Sequence, residues 1–350
     1  MASLVDFDLA GFEAELLAGG LKPSHAARIL RLFYQGNGNF QPDSLAVGNG
    51  VARLLQEKLA SRRSRIITRT IATDGTVKLL LGLDDGGAVE SVLMPSLRPG
   101  VAGGCVSSQI GCAMGCDFCA STRNGLERNL QTGEIVEQFL RLKEESASLG
   151  RRLKTIVFMG MGEPLLNFDA VVAAIARIAD SNLGGLGWRQ VTVSTVGIVP
   201  GIERLAEADL NVHLALSLHA PDDATRTRLV PANRRYRVAD VMAAARRFHS
   251  LTKRIVTIEY CMLAGVNDSD EQAILLADLM DGFRAHVNLI PYNAIGAGLS
   301  GIHYSRPSVE RMGEFMRHLR ERGVVAHFRR TRGDDVNAAC GQLRQAAISS

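Results

Sequence analysis

The chain has 350 residues, 46% of them hydrophobic, and a formal net charge of +4. These values are ordinary for a soluble globular protein of one large domain with an appendage, or of two domains. They exclude histone-like basicity, and no apolar run approaches the roughly 20 residues needed to cross a bilayer.

The opening stretch MASLVDFDLAGFEAELL carries acidic residues and no basic n-region, so it does not read as a signal peptide. Amphipathic spacing predicts helices over Asp8–Leu17 and Ser24–Gln35, with Ser24 as an N-cap, and a third over Ser44–Leu59 interrupted by Gly48 and Gly50. Residues 1–62 are therefore expected to form a helical accessory domain, either a nucleic-acid handle or a packing cap on the rest. From 63 to 98 the pattern changes to short strands, Arg65–Ile71, Val77–Leu83 and Ala88–Met94. Asp74-Gly75 and Asp85-Gly86-Gly87 separate them as hairpin-turn signals, so a small antiparallel extension is expected. A glycine-rich linker, Pro99–Gly104, leads onward.

The core, 99–330, alternates strand and helix. Strands are expected at Cys105–Gln109, Thr155–Met159, Gln190–Thr195, Val212–Leu218, Ile255–Met262 and His286–Ile290. Helices are expected at Thr132–Leu149, Asp169–Ala179, Gly201–Ala208, Val238–Ser250, Asp270–Asp281 and Ser308–Arg322. Such alternation predicts an α/β fold of parallel units joined by right-handed crossovers. The stretch falls short of the roughly 250 residues of an eight-fold barrel, so an open, partial (β/α)6 barrel is expected. In β/α barrels active-site residues gather at the C-terminal strand ends. Met159–Pro164, Ser194-Thr195, Ser217-Leu218-His219 and Pro291-Tyr292-Asn293 all fall there. Residues 331–350 form a C-terminal segment carrying Cys340.

The densest chemical signal is Cys112-Ala-Met-Gly-Cys116-Asp-Phe-Cys119, which puts three of the chain's six cysteines in a C-x3-C-x2-C spacing. Thiolates are soft ligands for iron-sulfur clusters or zinc. Structural zinc sites are closed by four ligands, and Cys105 could supply the fourth. Three close thiols alone would leave one iron of a cubane cluster open to a small molecule, and iron-sulfur is the leading reading. Clustered cysteines also suit a reducing cytoplasm better than a disulfide framework. Arginine outnumbers lysine, which is compatible with an RNA partner because guanidinium forks onto phosphates and stacks on bases.

With Phe118 before the last cysteine, the loop resembles the signature of radical S-adenosylmethionine (SAM) enzymes. The resemblance narrows with Cys105–Cys112, Phe158–Asn167, Ser217-Leu-His-Ala, Val256–Tyr260, Val287–Asn293 and Thr331–Leu343, which look like the RlmN/Cfr family of RNA methyltransferases, closer to RlmN. That resemblance implies one 4Fe-4S cluster on Cys112, Cys116 and Cys119, with SAM chelating the open iron and yielding a 5′-deoxyadenosyl radical. It implies SAM contacts at Gly162, Glu163, Ser194, Ser217, Leu218, His219 and Asn293. It implies that Cys340 accepts a methyl group from a first SAM and, after loss of a hydrogen, links to an adenine. Cys105 then releases the product by forming a disulfide with Cys340, and Glu90 accepts a proton.

The implied target is carbon 2 of an adenine in 23S ribosomal RNA and in certain tRNAs. The alternatives are the Cfr-type carbon 8, or a radical SAM enzyme acting on a small molecule or protein. A non-catalytic metal-containing RNA-binding protein is the reading outside the enzyme class. An electron donor of the flavodoxin or ferredoxin type and a monomeric state are further implications. The chain departs from the family pattern at Ala294, in the long loop Ala294–Gly301, and at Ser194-Thr-Val-Gly197. The arginine pairs Arg234-Arg235, Arg246-Arg247 and Arg329-Arg330 are candidate RNA contacts.

Overall fold

A computed structural model of the chain describes residues 2–39, 49–57, 59–60 and 63–343. Of the third expected helix, the part before Asn49 and the residue Lys58 lie outside the described residues; α3 spans Asn49–Glu57. The first two helices are α1 (Leu9–Ala18) and α2 (Ala26–Gln35). Asp8 caps α1, its carboxylate accepting the Gly11 N–H at 2.7 Å. Ser24 is not a cap. It lies inside a 3-10 turn, Pro23–His25, that runs straight into α2, because Pro23 at the first position already supplies a helix-ready φ. The apolar faces of these helices (Phe12, Leu16, Ile29, Leu30 and Phe33) join the same buried cluster as the strands and helices that follow.

Strands β1 (Ala2–Ser3) and β2 (Leu59–Ala60) pair as a short parallel ladder. The main sheet has ten strands: β3 (Ser64–Ile71), β4 (Val77–Leu83), β5 (Ala88–Pro95), β6 (Val101–Cys105), β9 (Arg152–Phe158), β10 (Val191–Thr195), β11 (His213–Ser217), β12 (Val256–Met262), β13 (Ala285–Pro291) and β14 (Val325–Phe328). Strands β7 (Gln109–Gly111) and β8 (Leu126–Asn129) form a separate antiparallel pair. Within the main sheet β3 to β6 run antiparallel, while β6 and β9 to β14 run parallel in chain order. The sheet is open, a partial barrel with β14 at one edge and β3 at the other.

The connecting helices are α4 (Thr132–Ser148), α5 (Phe168–Ala179), α6 (Val199–Glu207), α7 (Asp223–Leu229), α8 (Val238–Thr252), α9 (Asp270–Met280) and α10 (Val309–Glu321). All six expected core helices form, and α7 is an additional one.

The first barrel strand departs from expectation. It is Val101–Cys105, not Cys105–Gln109, so most of the glycine-rich linker is strand. A Cβ on Gly103 would sit 2.8 Å from the Thr155 hydroxyl, and one on Gly104 would sit 2.7 Å from Ile156 and 2.9 Å from Leu142. The glycines serve close approach of β9 and α4, not flexibility. The seventh parallel strand, β14, is also absent from the six-strand expectation. Two of its four residues, Val325 and Phe328, are large exposed hydrophobics, as befits a short edge strand lacking the continuous apolar run of a buried one.

Candidate active site

The parallel strands all point one way, so their C-terminal ends converge on one rim. The segment after β6 and the glycine loop after β9 are laced together there. The Gly160 N–H donates to the Val106 carbonyl at 3.1 Å, and the Met161 N–H donates to the Ser107 hydroxyl at 2.9 Å. Gly162 has φ +100, and a Cβ there would lie 2.5 Å from the side chain of Gln109. Only glycine fits. Asn167, at the end of the same motif, donates to the carbonyls of Ser108 and Leu130, both at 2.8 Å.

The cysteine loop is stapled at its ends by β7 and β8, with the Cys112 N–H donating to the Gly125 carbonyl at 2.8 Å. Gly111 and Gly115 take positive φ, which turns the chain so that Cys112, Cys116 and Cys119 line one cavity. Burial pushes the Cys112 thiol up to about 12 and the Cys116 and Cys119 thiols upward as well. Buried thiols of this kind become thiolates when a cation replaces their protons, so an all-sulfur donor set in one wall fits an iron-sulfur cluster. All six cysteines are free thiols.

Met159, Gly160, Gly162, Glu163, Ser194, Ser217, His219, Glu259, Cys261, Arg329 and Cys340 line the rest of this cavity. The Ser194 and Ser217 hydroxyls lie 3.3 Å apart on adjacent strands. Glu163 is buried, and its carboxylate accepts the Val196 N–H at 2.9 Å and the Leu165 N–H at 3.1 Å. Burial nevertheless lifts its pKa to about 7, the hydrogen bonds opposing only in part. His219 adopts φ +60, held by two bonds: its Nδ1 accepts the Cys261 N–H at 3.0 Å and its carbonyl accepts from Asn267 at 2.7 Å. Burial, then the nearby Arg226, pushes its pKa down to about 3, so the ring is neutral with its proton on Nε2.

Two residues expected to contact SAM by side chain or backbone are not on this cavity's wall. The Leu218 side chain is fully buried and off the cavity wall; its carbonyl instead accepts from Arg226 at 3.0 Å. Asn293 lines a second, adjoining pocket and donates to the Cys340 carbonyl at 3.3 Å.

That second pocket is walled by Val92, Met94, Cys105, Met159, Ile290, Asn293, Arg329 to Arg332, Ala338, Ala339, Cys340 and Leu343. Cys105 and Cys340 both face it, and Cys340 also faces the first cavity. Burial, then the Cys340 sulfur, pushes the Cys105 thiol up to about 12, while Arg329 pulls it down. Glu90 lines neither cavity. Its carboxylate is buried in an ion pair with Lys78 at 3.1 Å, on the sheet face that Val92 and Cys105 share by register.

Sequence reasoning missed Glu259, Asn288 and Arg226, and it read Arg329 as a surface residue. Arg329 is no surface contact: its guanidinium lies between the two cavities, held by Glu259 at 3.4 Å and Met159 at 3.2 Å. The Cys340 sulfur and Glu259 keep it charged. Asn288 donates to the other Glu259 oxygen at 3.0 Å. Arg226 is fully buried and donates to Leu218, Val196, Asn233 and Tyr236. Arg246, another RNA candidate, donates to the Leu279 and Asp281 carbonyls and covers the Phe283 ring, whereas Arg234, Arg235 and Arg247 are exposed. The one signal available in advance was Glu259 inside the Val256–Tyr260 motif, a charge in an otherwise apolar strand.

A partial barrel with three thiols at the rim defines a class, and comparison with known proteins agrees. The sequence profile of the radical SAM superfamily matches residues 106–277. The crystal structure of a radical SAM methyltransferase from Sphaerobacter thermophilus superposes with a TM-score of 0.92 at 41% identity, covering 98% of this chain and 99% of that one. A protein of Opitutus terrae named "Probable dual-specificity RNA methyltransferase RlmN 1" is 53% identical, covering 98% of this chain and 96% of its own. An RlmN relative from Thermotoga neapolitana is 39% identical over 98% of each chain. The chain belongs to the RlmN family of radical SAM RNA methyltransferases. Its cofactors are a 4Fe-4S cluster, for which Cys112, Cys116 and Cys119 are the available ligands, and SAM. No helix among the described residues is long and apolar enough to cross a membrane.

Proposed function

We propose that this enzyme methylates carbon 2 of an adenine in 23S ribosomal RNA, and in tRNA, through Cys340 and Cys105. The observation that carries the reading is the position of Cys340, the one cysteine that lines both the cofactor cavity and the pocket holding Cys105. When bound, the cluster and SAM supply a 5′-deoxyadenosyl radical, a reagent able to remove hydrogen from an unactivated carbon.

The protein's own residues do the rest. Cys340, half-buried between the small residues Ala339 and Gly341, faces the first cavity on one side and the Cys105 pocket on the other. Its sulfur accepts the methyl group; one C–H bond of that methyl then breaks, the hydrogen atom going to the radical that the bound cofactors would supply, and the carbon bonds to the adenine. Cys105, in the same pocket, attacks the Cys340 sulfur as a thiolate. The S–C bond breaks with its electron pair going to the carbon, which takes up a proton to become the methyl group. The one unpaired electron left by the radical addition passes to a one-electron redox partner, and a disulfide remains for an external reductant to reopen. Arg329 faces both sulfurs and favours whichever is anionic. Glu90, ion-paired to Lys78 on the sheet face it shares with Cys105, is the carboxylate that would take the proton lost from the ring carbon. Glu163 would hold the ammonium of SAM and the Ser194 and Ser217 hydroxyls its ribose, and His219, with its proton on Nε2, would offer a donor to its adenine or carboxylate. A base must leave its stack to reach the pocket, and Arg330 and Arg332 at the pocket wall are suited to the flanking phosphates. Flavodoxin or ferredoxin is the class of donor that would reduce the cluster.

Peptide mass spectrometry of protein made with ample iron tests the relay: one added methyl on Cys340 is expected. An unmodified Cys340 in cluster-replete protein overturns it in favour of a different radical SAM substrate. Digested RNA from cells lacking the gene is expected to lose 2-methyladenine. Loss of the 8-methyl isomer instead would move the target to carbon 8.

A further inference from the structure

The long loop after β13 departs from the family pattern, and its fold explains the length. Ala297 bridges His303, and the Gly298 N–H donates to the Ile302 carbonyl at 2.8 Å, closing a small hairpin. This hairpin lies directly on the cysteine loop. Asp117, between Cys116 and Cys119, accepts the Ser300 N–H at 2.7 Å, and its second oxygen accepts the hydroxyls of Ser300 and Tyr304. Arg123, four residues past Cys119, donates to the Ala297 carbonyl at 2.8 Å and to that of Ile295. Gly298 comes so close that a Cβ there would lie 2.3 Å from the Asp117 carbonyl. Behind the loop, Cys116, Phe118, Tyr292 and Tyr304 share a buried apolar cluster.

We propose that the 297–303 hairpin is a clasp on the cysteine loop, with Asp117 the positioning residue through which it holds Cys116 and Cys119 in cluster-bearing geometry. The proposal rests on the reading that this loop carries the cluster. The physical argument is that three ligands on a glycine-hinged loop hold iron only as long as the loop keeps its shape. Groups that orient ligands from outside typically matter 10- to 100-fold for metal affinity. An anion this near the cluster also disfavours adding an electron to it.

The experiment uses the anaerobically reconstituted full chain and follows iron transfer to a ferrous chelator, with the midpoint potential measured in parallel. Asp117→Ala is expected to lose iron about 10-fold faster than wild type. Asp117→Asn, which keeps the shape and the Ser300 N–H acceptor, is expected to restore most of the retention while raising the potential. Equal rates in wild type and Asp117→Ala, or an unmoved potential in Asp117→Asn, would overturn the clasp. Should Asp117→Ala fail to fold, the pair Ser300→Ala with Tyr304→Phe decides, with faster iron loss again expected and an unchanged rate overturning it. A wild-type chain that takes up no cluster would instead sink the underlying assignment.

Discussion

The two cavities adjoin, yet they are built differently. The cofactor cavity is walled by strand ends and by loops stitched to one another through backbone N–H groups that donate to carbonyls and to the Ser107 and Gln109 side chains, as in the Val106–Gln109 and Met159–Glu163 lacing. The thiol pocket owes much of its wall to a C-terminal strap with little secondary structure. That strap is tied down at separate points: the Thr73 N–H to Asp335 at 2.9 Å, Lys78 to the Asn337 carbonyl at 3.2 Å, Ser121 to the Leu343 carbonyl at 2.6 Å, and Ala120 to Gly341 at 2.7 Å. A cofactor that must be held in one orientation sits in the stiff half. In the proposed relay, Cys340, which would meet first a methyl donor and then a base, sits on the tethered half.

If that division is real, the largest effect comes from removing chemistry on the tethered side alone. Cys340→Ala is expected to abolish RNA methylation while leaving cluster content and reductive SAM cleavage near wild type, as read by iron analysis and release of 5′-deoxyadenosine. Loss of both activities together would erase the distinction. Next comes a break in the stiff half. Arg226→Met leaves several buried carbonyls without their donor and should destabilise the fold by about 3 kcal/mol, measured by denaturant unfolding.

Acid sharpens the same point. The ordinary histidine pKa of 6.5 falls to about 3 at His219 in the folded chain, so protonation favours the unfolded state. Stability contributed by the neutral ring is intact above pH 6.5 and is lost progressively as pH falls from there toward 3. By pH 5 the cost is about 2 kcal/mol, and His219→Asn should flatten that slope in thermal melts. The smallest effect on stability is expected at a tether. Gln342 accepts from the Ala339 N–H at 3.1 Å and donates to the Ala294 carbonyl at 3.2 Å and Asp334 at 2.8 Å. Gln342→Ala should cost only about 1 kcal/mol of stability. Its methylation rate should nevertheless fall by about 10-fold or more, since small misplacements of a reacting group are costly.

Much of this arrangement was readable in advance where the signal is local. Hairpin turns at Gly75 and Gly86 need positive φ and have it. The helices from α4 to α10 that carry regular apolar spacing appear within a residue or two of their expected limits, because a helix face is written every three or four positions. The thiol spacing likewise named its loop. Gly103 and Gly104 misled, since glycine looks alike whether it frees a turn or admits a neighbouring strand. Leu218 and Asn293 lie near the expected strand ends but do not line the cofactor cavity, because neighbouring strands and loops, not position in the chain, set which side chains reach its wall.

By itself, then, the sequence determined the order of elements, the reactive thiols and the family, all of which depend on residue type and spacing along the chain. Tertiary structure decided which groups share a wall. It drew Arg329 from an apparent surface pair into the partition between two cavities and gave it Glu259 as partner. It brought Cys340 within range of both Cys119 and Cys105 across more than two hundred residues of chain. It also turned a long glycine-rich loop into a cover for the cysteine loop. The reason is physical: burial, charge pairing and close approach are properties of packed surfaces, and those exist only once the strands have assembled.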